Sequence, residues 1–249
     1  MRVRIISHSE NLLDTVYTAA RTCYNAGSPI DMWEDINSVS EEDKVKLIRA
    51  CLNSGHASVI EHGTITIALE GVSRALTHQW VRSRLCVHSQ QSQRYVGIKE
   101  DISILEGKHH SSDNYLEQEE IIGILDKYFV WEHESYAQFH ALTTSLYCYL
   151  FMIKNGAKAE DARSVLPNCT KSNIVTTMNL RELIHVCNER LCARTQTEYK
   201  QVMKEIVKQV VSIYPWLEPY LQPKCIQLGY CPEAHGSCGR KPKKKEIIK

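Results

Sequence analysis

The stretch GVSRALTHQWVRSRLCVHSQQSQRYVGIK, residues 71–99, decides how this chain is read. It holds Arg74, Arg82, Arg84, Arg94 and Lys99 but no Asp or Glu, although Glu70 and Glu100 stand at its two borders. Arginine is the side chain suited to bidentate phosphate contacts. Ser73 is placed to cap a short helix reaching about Ser83. On it Ala75, Gln79 and Arg82 share one face by three- and four-residue spacing, while Leu76 and Trp80 share another and should pack inward. Residues Leu85 to Gln93 show no clean period. Ser89, Gln90, Gln91, Ser92 and Gln93 offer hydroxyls and amides in succession, which can orient a ligand without adding charge. Arg94-Tyr95-Val96 is expected to enter a strand. Together these features suit a nucleotide phosphate with a heterocycle of donor and acceptor edges. A solvated basic face and a generic RNA-binding patch are the alternatives that composition alone leaves open.

Working outward, the rest of the chain is electrostatically balanced. Its 249 residues carry 30 Lys and Arg against 29 Asp and Glu, a net charge of +1. No global pull toward nucleic acid or a membrane follows, so anion binding must come from local clustering. No apolar run approaches the roughly 20 residues that span a bilayer. The polar start, Met1 to His8, is unlike a signal peptide. A cytoplasmic protein is expected, with its ten cysteines reduced.

Alternation at Val3 and Ile5 predicts an opening strand. Asn11 to Tyr24 reads as a helix. Ser40, with Asp43 three residues on, caps another that ends near Asn53-Ser54-Gly55. Ile65, Ile67 and Leu69 alternate and predict a strand over 64–69. Residues 115–155 read as strongly helical, with Asn155-Gly156 as the stop. A short helix over 158–165 ends at Pro167. A strand follows over 174–178, then helices over 179–194 and 198–214. The basic tail, Lys241 to Lys249, is expected to be disordered. Strands and helices do not alternate regularly, and no Gly-rich phosphate fingerprint is present, which argues against a doubly wound parallel sheet.

The helix from Asn179 carries a second cationic set. Leu183 and Cys187 lie four apart, and Arg190 continues their row, so Arg190 should point inward or into a cleft. A guanidinium there needs an anionic or carbonyl partner. An Arg190–Glu61 bridge is the structural alternative. Arg181 and His185 share a neighbouring face. His56, Glu61 and His62 lack the helical spacing of a zinc protease, so metal is not expected there. Cys225, Cys231, His235 and Cys238 form a compact group that could bind zinc, but their spacing is irregular and free thiols are the expected reading.

Set in order, these segments resemble the flavin-dependent thymidylate synthases. The family hallmark is Arg-His-Arg, seven residues, then Ser; here it reads Arg82-Ser83-Arg84, seven residues, then Ser92. The segments around Gln79-Trp80-Val81, Ser89 to Val96, Gly55-His56 to Glu61-His62, Ala162 to Pro167 and Thr177 to Leu191 are similar as well. The likeness spans about residues 10–215.

That resemblance implies an α+β fold with a mixed, mainly antiparallel sheet flanked by helices. It implies a synthase domain over 1–220 followed by an extension over 221–249. It implies dUMP contacts from Gln79, Trp80, Val81, Arg82, Gln90, Gln91, Ser92, Gln93, Arg94, Arg163 and Arg190. Arg190 would stabilise the ionised pyrimidine N3 and so activate C5. Ser58, Arg82, Ser83, Arg84, Gln90, Asn179, Leu180, Arg181 and His185 would lie around FAD, with His56 and Glu61 near flavin and folate. NADPH and 5,10-methylenetetrahydrofolate would be co-substrates, and the assembly a homotetramer. Ser83 departs from the hallmark: a hydroxyl stands where the family has an imidazole. Weaker flavin or folate binding is one expectation from that change; a paralogue that binds nucleotide or RNA, or acts on another pyrimidine nucleotide, is another.

Overall fold

Four strands hydrogen-bond in the order β1-β2-β4-β3 in a computed structural model that describes residues 1–105 and 118–247. In chain order the elements are β1 (Arg2–His8), α1 (Leu12–Thr22), α2 (Pro29–Glu34), α3 (Glu41–Asn53), β2 (Thr64–Ser73), α4 (Arg74–Trp80) and β3 (Cys86–Gln90). They continue with α5 (Glu119–Tyr128), α6 (Tyr136–Lys154), α7 (Ala159–Ala162), β4 (Lys171–Asn179), α8 (Leu180–Arg190), α9 (Thr197–Ile213), α10 (Lys224–Leu228) and α11 (Lys244–Ile247). The result is an antiparallel sheet with helices, the expected α+β class. Among the described residues no helix is long and apolar enough to cross a membrane.

The chain divides into two compact units. The first contains Met1–Arg2, Leu69–Arg82 and Ser89–Ile174; the second contains Val3–Ala68, Ser83–His88 and Val175–Lys249.

In the first unit, Ile121, Leu125, Phe139, Leu142 and Leu146 pack with Tyr149 into one core. Each such side chain contributes about 1.5–3 kcal/mol by leaving water. The strongly helical region expected over 115–155 holds two helices. α5 and α6 are separate because Phe129 turns extended and forms an antiparallel bridge with Thr170. The part of that expectation over 115–117 lies outside the described residues. Gly156 follows α6 at φ 86°, a left-handed stop that glycine adopts without strain.

In the second unit, α1 and α3 pack together, and the buried Lys44 of α3 meets Asp14 of α1 at 2.7 Å. Ser40 caps α3 as expected: its hydroxyl accepts from the Asp43 N–H at 3.1 Å and donates to the Asp43 carboxylate at 2.7 Å. Gly63 sits so close to α1 and α8 that a Cβ there would stand 2.3 Å from Leu12 Cδ1 and 2.9 Å from Leu180 Cδ1. Its carbonyl accepts from the Leu180 N–H at 2.9 Å, which sets where α8 begins.

Two further expectations are corrected. The strand after α4 is Cys86–Gln90, not Arg94-Tyr95-Val96, which lies in a turn closed by the Val96 N–H on the Ser92 carbonyl at 2.9 Å. The half-buried positions of β3 are filled by Cys86, His88 and Gln90 and the exposed ones by Val87 and Ser89, so it carries no apolar period to read. The tail is ordered in part: Lys243 pairs with Cys231, and α11 follows; Ile248 and Lys249 lie outside the described residues.

Candidate functional site

The cationic stretch leads from β2 into α4. The Ser73 hydroxyl accepts from the Leu76 N–H at 3.0 Å, satisfying one of the free donors that open a helix. Leu76 and Trp80 are fully buried, as their spacing predicts. α4 ends at Trp80, three residues earlier than expected, with Val81 as its cap. Arg82 and Ser83 therefore stand outside the helix; Arg82 ends a segment of the first unit and Ser83 begins one of the second.

In the first unit, α4 is held to the segment before β4: the Arg74 N–H donates to the Thr170 carbonyl at 3.0 Å and the Ala75 N–H to Asn168 at 2.8 Å. This holds Arg74 in the electrostatic field of Arg163. Its partial burial, and then the neighbouring Arg163 guanidinium, push its pKa below the usual arginine value. Two cations in mutual repulsion form a seat for an anion. Glu160 organises the other side. Its carboxylate accepts from Arg94 Nε at 2.8 Å, and its carbonyl accepts from Arg163 Nε at 3.1 Å. Arg94 and Arg163, both expected to bind nucleotide, are thus tied to one residue. Sequence reading missed Glu160 and left Arg74 without a role; the spacing Glu160-x-x-Arg163 was the available signal.

The amide series after β3 divides. Gln90 turns its amide nitrogen inward, donating to the Thr77 hydroxyl at 2.9 Å and the Ser172 hydroxyl at 3.2 Å. The Gln91 N–H extends the sheet by donating to Asn173 at 2.8 Å. Gln91 and Gln93 line a cavity of about 380 Å³ together with Glu70, Tyr149, Lys171 and Asn173; Arg74, Arg94 and Arg163 do not line it. The Ser92 hydroxyl accepts from the Arg94 N–H at 3.2 Å, shaping the turn that carries Arg94. Gln79, expected at the nucleotide, bonds within its own helix to the Ala75 carbonyl at 3.1 Å. Val81 and Arg82 are exposed.

The second unit holds the remaining candidates. β4 runs directly into α8, whose cap is Asn179: its side-chain oxygen accepts from the Glu182 N–H at 2.9 Å. Leu180, Leu183 and Cys187 are buried, and Arg181 and His185 are exposed. Arg181 pairs with Glu61. The Glu61 bridge considered for Arg190 therefore belongs to Arg181. Ser58, His56 and Glu61 are exposed on or beside a 3-10 turn over Ala57–His62, with Tyr24 edge-on to the His56 ring.

Arg190 is half-buried, and its guanidinium lies over the Tyr199 ring at 5.0 Å from the centroid. Burial pushes the Tyr199 hydroxyl up to about 12, opposed by Arg190 and by hydrogen bonding from Ser83 and Arg190. Ser83, the departure from the hallmark, is thus engaged with the tyrosine that supports Arg190. The Ser83 carbonyl is met by His88 Nε2 at 3.3 Å, and His88 Nδ1 meets the Thr176 hydroxyl at 2.9 Å. One ring nitrogen of His88 thus holds the backbone at Ser83 while the other ties the ring to Thr176 of β4. Beside it, Cys86 is pushed up to about 12 by burial and by the buried Glu182 carboxylate. Cys187 is pushed to about 12 by burial alone.

The sequence model of the family described as thymidylate synthase complementing protein matches residues 4–216. The chain belongs to that family. It is 38% identical to the flavin-dependent thymidylate synthase of Nitratidesulfovibrio vulgaris, covering 97% of this chain and 95% of that one. It is 35% identical to the enzyme of the same name from Pyrococcus abyssi, covering 94% and 90%. In fold it is similar to the crystal structure of thymidylate synthase X from Helicobacter pylori with FAD and dUMP, with a TM-score of 0.69 at 18% identity over 89% of this chain and 99% of that one.

Proposed function

We propose that this chain reductively methylates dUMP to dTMP, with 5,10-methylenetetrahydrofolate as one-carbon donor and NADPH as reductant. The observation that carries the reading is the first unit's arginine set: Arg74 and Arg163 in one another's field, with Arg94 and Arg163 both held by Glu160. Such a set fits a phosphate dianion, which relieves the repulsion between guanidinium groups. We assign Gln79, Trp80, Val81, Arg82, Gln91, Ser92 and Gln93 to the same nucleotide.

For FAD, the second unit offers an exposed donor set that fits a phosphate-bearing cofactor: Arg84, Arg181 and His185, with the Ser58 hydroxyl. We assign Ser83, Asn179 and Leu180 to it as well, and His56 and Glu61 to the flavin and folate. The chemistry that bound FAD supplies is hydride transfer, which completes the methyl group after the methylene carbon reaches C5.

Arg190 holds the ionised pyrimidine N3. Arginine stays charged at any working pH, so it stabilises the anion without exchanging a proton. The negative charge raises electron density at C5, which then attacks the methylene carbon without an enzymic thiolate. Cys86 and Cys187 agree with this: with thiols near 12, only about 10⁻⁵ of either is thiolate at neutral pH.

We infer a homotetramer in the cytoplasm. Val87 of the edge strand β3 is 72% exposed. Bare apolar groups on an unpaired edge call for a covering surface. The test is the visible spectrum of the protein after FAD is added and excess removed. Retained flavin absorption that shifts with dUMP supports the assignment. A colourless protein that binds RNA in a steeply salt-dependent way supports instead the nucleic-acid-binding paralogue.

A further inference from the structure

The cavity that Gln91 and Gln93 line lies apart from the arginine set. It measures about 380 Å³, a size that holds small-molecule ligands, and every residue lining it belongs to the first unit. β2 contributes Glu70 and Gly71 to its wall, β4 contributes Lys171 and Asn173, and α6 contributes Tyr149.

Tyr149 is 1% exposed, and its ring packs in the core of this unit. Its hydroxyl ends against Gly97, another residue of the wall, where a Cβ would stand 2.7 Å away. Only glycine at 97 leaves room for that approach. Among the described residues the Tyr149 hydroxyl has no hydrogen-bond partner, although a buried tyrosine ordinarily finds one. A ligand in the cavity supplies the missing partner.

The charges on the wall are unequal. The Arg2 guanidinium is paired with Glu70 at 3.0 Å, and Lys127 is paired with Glu100 at 2.6 Å. Lys171 is half-buried and donates to the Asp126 carbonyl; among the described residues no carboxylate pairs with it. It is thus the one cationic side chain of the wall, among the described residues, whose charge is not compensated. Beside it, Asn173 accepts from the Gly71 N–H at 2.9 Å through Oδ1, which leaves its amide N–H groups to donate. Val96, Ile98 and Leu166 give the wall an apolar portion.

We propose that this cavity is a second nucleotide site, which takes a nucleoside monophosphate. Lys171 supplies the point charge for the phosphate and the Tyr149 hydroxyl donates to it. Asn173 meets the polar edge of the base, and the apolar portion takes its face. Glu70 repels the added charge of a di- or triphosphate. The site does not rest on the methylation reading. Gln91 and Gln93, which we also assign to dUMP, lie on its wall, and Ser92 between them shapes the turn that carries Arg94. The two sites therefore adjoin along one segment.

The test counts dTMP bound to the full chain by equilibrium dialysis. Two per chain are expected, one of them lost in Lys171→Met and the other in Arg163→Ala. Tyr149→Phe removes only the hydroxyl and should weaken the cavity's dTMP roughly 10- to 100-fold, the usual cost of a lost hydrogen bond to a charged group. If Lys171→Met does not fold, acylation of lysines in the unaltered protein decides: dTMP should slow modification of Lys171 and leave that of Lys208 unchanged. A second dTMP that persists in Lys171→Met, a single dTMP that this variant retains, or Lys171 modified equally fast with and without dTMP would each overturn the proposal. A dTMP lost in Lys171→Met, with none lost in Arg163→Ala, would leave this site standing and remove the arginine set from the nucleotide instead.

Discussion

The guanidinium of Arg190 lies 5.0 Å from the ring centroid of Tyr199, so the last turn of α8 rests its cation on the first turns of α9. The platform is fully buried, and the hydroxyl at its far end is engaged with Ser83. Arg190→Ala is expected to lower kcat/KM by about 10²- to 10³-fold, the usual cost of losing a donor aimed at developing negative charge. Tyr199→Leu keeps Arg190 but removes the ring, and should cost roughly 2- to 30-fold, the range of a partly desolvated cation–π contact. Steady-state kinetics with dUMP as the varied substrate checks both. An unchanged Arg190→Ala enzyme would remove Arg190 from the chemistry.

Ser83 offers a hydroxyl where the hallmark has an imidazole, and that hydroxyl is engaged with Tyr199. Serine can neither stack on a ring nor carry a proton charge. Ser83→His should therefore retain more flavin through gel filtration and turn over faster than the natural chain. Equal flavin retention and equal turnover would mean that Ser83, with His88 holding its carbonyl, already meets the need.

Gly63 touches the side chains of Leu12 and Leu180, both buried. Gly63→Ala must push α8 away from α1, and overpacking of this kind costs about 1–3 kcal/mol. The urea midpoint should fall accordingly. A midpoint unchanged within error would show that the contact of Gly63 with Leu12 and Leu180 is looser than described.

Much of this architecture was legible because its signals are local. Ser40, Ser73 and Asn179 each cap the helix that follows, and the residue type at one position announces that bond. The inward row of Leu183, Cys187 and Arg190 was likewise a matter of spacing. What escaped reading depends on distant partners. β3 carries no apolar alternation, since one side of it is exposed and its sheet partner β4 lies some 80 residues on. Glu160 binds Arg94 across 66 residues, and Tyr199 meets Arg190 only because α9 folds back beside α8.

Alkaline stability should reveal the buried acids. Burial raises Cys187 from 9.0 to about 12 and Tyr199 from 10.0 to about 12. Both are neutral when protonated. Below pH 9.0 the folded and unfolded chains both keep the protons, and the full stability is present. Between 9.0 and about 12 the unfolded chain releases them first, so stability falls as pH rises. Urea unfolding across that window should show a declining midpoint, with a shallower decline in Cys187→Ala. A flat profile would mean that these groups titrate as they do in water.

Production of dTMP with FAD as the hydride carrier is the activity to test first. The most direct measurement is dTMP formation from dUMP, 5,10-methylenetetrahydrofolate and NADPH by the purified protein, with and without FAD. Turnover that requires FAD and is lost in Arg190→Ala is the expected result. A protein that holds FAD and dUMP yet forms no dTMP, or forms it equally well after complete removal of flavin, would contradict it.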